Sequence, residues 1–129
     1  MIGRHSTPRT IPTVERGRLA LGAVELLAAH RVARLAGAAD HRAGVTTTAR
    51  VLGARHLAQA VATRRVARTG RLTTAQAHRA GAAVDGLHAL SMLGLAAVAS
   101  GVRRPALCSA AVAGTLAVLE WRYAARAAH

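Results

Sequence analysis

Between Asp85 and Arg103 the chain carries no Asp, Glu, Lys or Arg, and a second uncharged run from Pro105 to Leu119 follows after the pair Arg103-Arg104. No other feature restricts the fold as tightly. A hydrocarbon core of about 30 Å usually takes about 20 helical residues, and each run falls short of that length. Arginines at the ends make up the difference, because their stems extend along apolar surface while the guanidinium groups sit among headgroups. Composition points the same way. Hydrophobic residues are 52% of the chain, yet Phe is absent and aromatics reach only 2%, so the apolar content is Ala, Val and Leu. Water-soluble cores rely on a few large buried side chains, whereas membrane helices pack through small residues that let backbones approach. The expectation is an all-α chain, a four-helix antiparallel transmembrane bundle.

The 129 residues suit one domain. The formal charge of +13 comes entirely from arginine, against Glu15, Glu25, Asp40, Asp85 and Glu120. Such an excess needs an anionic neighbour, either nucleic acid or an anionic lipid surface. Exclusive use of Arg over Lys is read as the mark of a GC-rich coding sequence rather than as a demand for bidentate phosphate recognition. Cys108 is the only cysteine, which excludes an intramolecular disulfide, and its apolar surroundings predict a small buried hydrophobe.

Residues 1–17 contain Pro8, Pro12, Gly3 and Gly17 with no sustained apolar period and read as a flexible basic arm, followed by a helical domain over 18–126. The apolar stretch Leu19 to Ala29 follows several arginines, as in a signal peptide, but Glu25 interrupts it, so it is read as a retained helix. Helices are predicted over 18–37, 45–66, 74–101 and 105–125. Thr73 or Thr74 is placed to cap the third, and Pro105 suits the first turn of the fourth. Gly37 to Gly44, with Asp40 and His41, reads as a loop. Trp121 and Tyr123 beside Arg122 have the character of an interfacial anchor. With both termini inside, eleven arginines fall on the cytoplasmic side, six on the other, and Arg55 within a span. Short cytoplasmic loops carry the arginine excess, so both termini are expected in the cytoplasm of a multi-pass cell-membrane protein.

Ionisable residues inside spans cost about 2.5 to 3.5 kcal/mol each at a helix centre and usually face the bundle interior. The residues to examine are Glu25 in the first helix, Arg55, His56 and Gln59 in the second, and Asp85 and His88 in the third. Arg55 and Gln59 share a helix face, as do Asp85 and His88. Arg55 and Asp85 lie at similar distances from the basic turn joining their helices, so antiparallel packing brings them level. Two roles fit this set: a polar pocket for a small ligand, a quinone-like headgroup or a proton, and an ionic network that fixes helix register. His56 and His88 stand on different helices, as axial haem ligands do, but no attachment motif or aromatic pocket wall accompanies them. Metal-ligand spacing, hydrolase signatures and phosphate-binding loops are absent from the sequence, and no cofactor is expected. No nucleophile and base pair up by spacing, so no enzymatic reaction is assigned.

At Gly53-Ala54-Arg55-His56-Leu57-Ala58-Gln59, followed by Asp85 in the next helix, the chain resembles DoxX-like and related uncharacterised four-helix membrane proteins. Those often carry a Gly-x-Arg segment in one helix and an acidic residue in the next. The resemblance implies a membrane bundle over residues 18–122; family members are richer in aromatics, so it implies a fold more than an activity. The expected function is that of a small multi-pass membrane protein, an accessory or small-ligand-binding bundle with a polar centre. Its partners would be a bilayer with anionic headgroups and either another membrane protein or a second copy of the chain. The competing reading is a soluble basic helical module binding nucleic acid through Arg64 to Arg71. Such a binder would concentrate its arginines on one face and add aromatics for stacking, which this sequence does not do.

Overall fold

The computed structural model describes residues 13–37, 42–70 and 72–127. The proposed arm over residues 1–12, the loop residues Asp40 and His41, and Arg71 lie outside these. The described residues form α1 (Thr13–Leu27), α2 (Ala29–Leu35), α3 (Arg42–Thr69), α4 (Thr74–Val98), a 3-10 turn (Ser100–Val102) and α5 (Arg103–Arg126). The chain is all-α, with five helices among the described residues. The predicted first helix is in fact two, broken at Ala28, and it starts at Thr13, so residues 13–17 of the expected arm are helical. Of the four spans expected, two helices are long and apolar enough to cross a membrane: α4, and the turn with α5.

Local chemistry accounts for the helix ends. Gln76 N–H donates to Thr73 Oγ1 at 3.1 Å and Thr73 N–H donates to Gln76 Oε1 at 2.9 Å, a capping box that starts α4. Gly37 (φ 76°) and Gly70 (φ 67°) stop α2 and α3 in the left-handed region, which glycine enters without a Cβ penalty. Pro105 sits in the first turn of α5, where its missing N–H is no loss.

Two antiparallel hairpins result. The first packs α1 and α2 on α3; the second packs α4 on α5, and direct backbone contact between hairpins is sparse. Residue pairs 15–64 and 25–56 set the register of the first, and 78–120 and 88–109 that of the second. From Glu15 to Ala29 the buried series is Glu15, Arg18, Gly22, Glu25 and Ala29, with Ala33 a further turn along α2, and on α3 it is Thr46, Ala49, Gly53, His56 and Ala60. Up to Ala29 and Ala60 both alternate steps of three and four, the seam of a left-handed helix pair. At the crossing Gly22 meets Gly53: a Cβ on Gly22 would stand 2.9 Å from Gly53 O, and one on Gly53 would stand 2.7 Å from Gly22 O. Only glycine at both positions permits this approach.

Side-chain polarity is inverted relative to a protein folded in water. Among the described residues the buried apolar side chains are all alanine except for Leu116, and the largest fully buried side chains are Arg18, His78 and Asp85. Many of the large aliphatics face outward, among them Leu27, Val51, Leu87, Leu90, Val98 and Val118.

Candidate functional site

Beginning at the end that holds the N-terminus of α1 and the C-terminus of α5, a chain of ion pairs runs inward between the hairpins. Glu15 accepts from Arg64 Nε at 3.3 Å, and its other oxygen lies 4.0 Å from His78 Nε2, beyond hydrogen-bond reach. His78 Nδ1 is 3.3 Å from Glu120 Oε2 and the His78 ring packs on Tyr123 with centroids 4.4 Å apart. Glu120 Oε1 meets Arg18 Nη2 at 2.6 Å. The same Arg18 nitrogen donates to Asp85 Oδ2 at 2.5 Å, and Arg55 donates to Asp85 Oδ1 at 2.8 Å. Three guanidinium groups thus meet three carboxylates, and the cluster is balanced in charge before any proton on His78 is counted. Because Arg18 comes from α1, Arg55 from α3, Asp85 from α4 and Glu120 from α5, this network ties the two hairpins together where backbone contact is thin.

A second polar group lies deeper. His56 Nδ1 and Glu25 Oε2 are 2.7 Å apart, at the level of the Gly22–Gly53 crossing. His88 Nε2 is 3.1 Å from Ser109 Oγ. These four residues and Thr48 form the polar part of a cavity of about 380 Å³ between the hairpins, whose walls include Val32, Val45, Leu52, Met92, Leu95 and Val112. The close glycine crossing places Glu25 and His56 within bonding distance, and Nδ1 engagement leaves the imidazole Nε2 available to a guest. The chemistry of the cavity is therefore an apolar box with two hydrogen-bonding pairs, Glu25–His56 from the first hairpin and His88–Ser109 from the second.

The six residues expected to form one polar centre are accordingly divided. Arg55 and Asp85 meet in the ionic network, whereas Glu25, His56 and His88 line the cavity. Gln59 joins neither: its Oε1 is buried without a hydrogen-bond partner among the described residues. Cys108, expected to be buried, is exposed, and Tyr123 turns inward onto His78 rather than outward with Trp121. No three His, Cys, Asp or Glu among the described residues converge as metal ligands.

No protein-family model, curated protein or solved structure matches the chain. The site must be read from its own geometry. Five of its members, Glu15, Arg18, Arg64, His78 and Glu120, are not singled out by the sequence, since each sits near the end of a predicted helix or just outside it, where a charge is ordinary. The signal that identifies them is the three-four spacing: Glu15 and Arg18 fall on the same seam as Gly22 and Glu25, and His78 on that of Ala82 and Asp85.

Proposed function

We propose that the chain is a multi-pass integral membrane protein, a bundle of four spans with both termini on the arginine-rich cytoplasmic side, which holds a small lipophilic molecule in the cavity beside Glu25 and His56. The inverted polarity carries this reading. In water, outward Leu and Val with inward Arg, Glu and Asp would forfeit apolar burial and desolvate charges together. In lipid the same arrangement satisfies both requirements, because charged groups must pair inside while the perimeter meets hydrocarbon.

The first hairpin, though rich in charge, supports the same view. Between Arg50 and Arg65 the outward positions of α3 are Val51, Ala54, Ala58, Val61 and Ala62, and on α1 between Gly17 and Ala28 they are Ala20, Val24, Leu26 and Leu27. The charges within those stretches, Arg18, Glu25, Arg55 and Arg64, all engage the interior network or the cavity pair. The cavity, with aliphatic walls and one imidazole–carboxylate patch, suits a molecule with a hydrocarbon body and a hydrogen-bonding head such as a quinone-like ring. Kinship with DoxX-like bundles belongs to the same proposal and is supported by Gly53 at the helix crossing and by the Arg55–Asp85 pair. Alkaline carbonate extraction of cells expressing the chain is the test. Retention in the membrane pellet is expected; release into the soluble fraction without detergent would favour the nucleic-acid module instead.

A further inference from the structure

A groove on the outer face of the second hairpin has a different character from the cavity. It occupies about 350 Å³ between α4 and α5, with Ala82, Ala83, Ala117 and Val118 along its length and Arg79, Arg122 and Trp121 at one end. Arg79 and Arg122 are exposed and, unlike Arg18, Arg55 and Arg64, take no part in an ion pair among the described residues. Both stand outside the uncharged runs and toward the same end of the hairpin, Arg122 three positions after 105–119 and Arg79 seven positions before 86–102, on the far side of Asp85. Trp121 beside them is 62% exposed. The two guanidinium groups therefore sit at headgroup depth, on a protein whose interior charges are already balanced, above a channel floored with methyl groups.

We propose that this groove binds one anionic phospholipid, with its phosphate between Arg79 and Arg122 and an acyl chain laid along Ala82, Ala83, Ala117 and Val118. The inference rests on the membrane reading above but not on the cavity. Charge complementarity selects the occupant: two unpaired cations at the interface attract an anionic headgroup over a zwitterionic one. Small side chains leave room for an alkyl chain that a helix pair with larger residues would exclude. Trp121 supplies an amphipathic wall at the level where indole rings settle.

Trp121 is the only tryptophan in the chain, so its fluorescence reports this groove alone. The full protein is reconstituted into phosphatidylcholine nanodiscs containing a minor fraction of brominated phosphatidylglycerol or, in parallel, the same fraction of brominated phosphatidylcholine. Each arginine near an anionic surface contributes several-fold in local concentration, so about tenfold enrichment of the anionic lipid at Trp121 is expected, read as stronger quenching per brominated lipid. Arg79→Gln with Arg122→Gln should abolish the preference, and Ala83→Leu should weaken it by filling the channel with both arginines kept. All three positions are outward-facing or lie on the groove wall, and helicity by circular dichroism checks the fold of each variant. Equal quenching by the two lipids overturns the lipid site while leaving the membrane reading intact, and so does a preference that survives either variant. Absence of quenching by both lipids overturns the site and the membrane reading together.

Discussion

Asp85→Ala probes the network at its centre. The Asp85 side chain is fully buried and accepts from two guanidinium groups, Arg18 at 2.5 Å and Arg55 at 2.8 Å. Removing one partner of a buried pair costs about 3 to 5 kcal/mol, mostly because the remaining charge is left uncompensated. Here the damage divides unequally. Arg18 keeps Glu120 at 2.6 Å, while Arg55 loses its sole ion-pair partner among the described residues. Arg55 is 25% exposed and can turn toward headgroups or water, which places the expected loss near the lower end, about 3 kcal/mol. Arg55→Ala alone should cost about 1 kcal/mol, since Asp85 retains Arg18 and the pair is partly screened. Residues in one ion-pair network are not additive, so the double variant should fall short of the sum by about 1 kcal/mol or more. Unfolding followed by circular dichroism during sodium dodecyl sulfate titration of the protein in a mild detergent measures all three. If Asp85→Ala is neutral, or if the two changes add without coupling, the network does not hold the hairpins together.

Three other changes test separate parts of the fold. Gly22→Ala must push α3 away, because its Cβ meets Gly53 O at 2.9 Å; a loss of about 1 to 3 kcal/mol is expected by the same titration, whereas Gly86→Ala, with nothing near its Cβ, should gain about 0.5 to 1 kcal/mol from helix propensity. A reversed order of those two would show that the helices do not cross at Gly22. Gly81→Ala drives a methyl group into the Glu120 carboxylate and should destabilise the bundle less in a Glu120→Ala background than in the native one; equal losses in both would separate Gly81 from the network. Ala113→Leu projects a larger side chain at the cavity wall and should reduce the lipophilic material recovered by organic extraction of the purified protein, while an unchanged yield would place that material elsewhere.

The parts of this architecture legible in sequence are those encoded locally. The uncharged runs, the Thr73 cap and the antiparallel course of α3 and α4 all follow from residues close together in the chain. A break between the last two helices was legible as well, but it falls at Ala99–Val102, and Arg103-Arg104-Pro105, where it was expected, form the first turn of α5. The Arg55–Asp85 pair belongs with them, because a short basic turn fixes the level of both residues. What was not legible depends on non-local pairing. Arg18 reaches Asp85 across 67 positions of sequence, and nothing in the order of charges says that an arginine at the start of a span turns inward rather than toward headgroups. The seam spacing of Glu15, Arg18, Gly22 and Glu25 carries that information, but abundant alanine at neighbouring positions blurs the boundary between faces. His88 illustrates a finer limit. It shares a helix face with Asp85, yet one turn of helix is enough to move it from the ionic network to the cavity, where Ser109 of α5 becomes its partner.

Positions 100 and 111 together test most directly whether the outward apolar surface lies in lipid. Ser100 and Ala111 are both exposed in the folded chain, so a protein in water would leave thiols at both open to reagents. Ser100 lies in the turn between α4 and α5, whereas Ala111 lies within the uncharged stretch of α5 and away from the cavity that Cys108 borders. In membranes opened so that reagent reaches both sides, a water-soluble maleimide is applied to Ser100→Cys and Ala111→Cys variants, each carrying Cys108→Ala. The expected result is rapid labelling at position 100 and little at position 111 until the membrane is dissolved in denaturing detergent. Labelling of both thiols at similar rates in intact membranes would contradict the account, because it would put the outward surface of α5 in water.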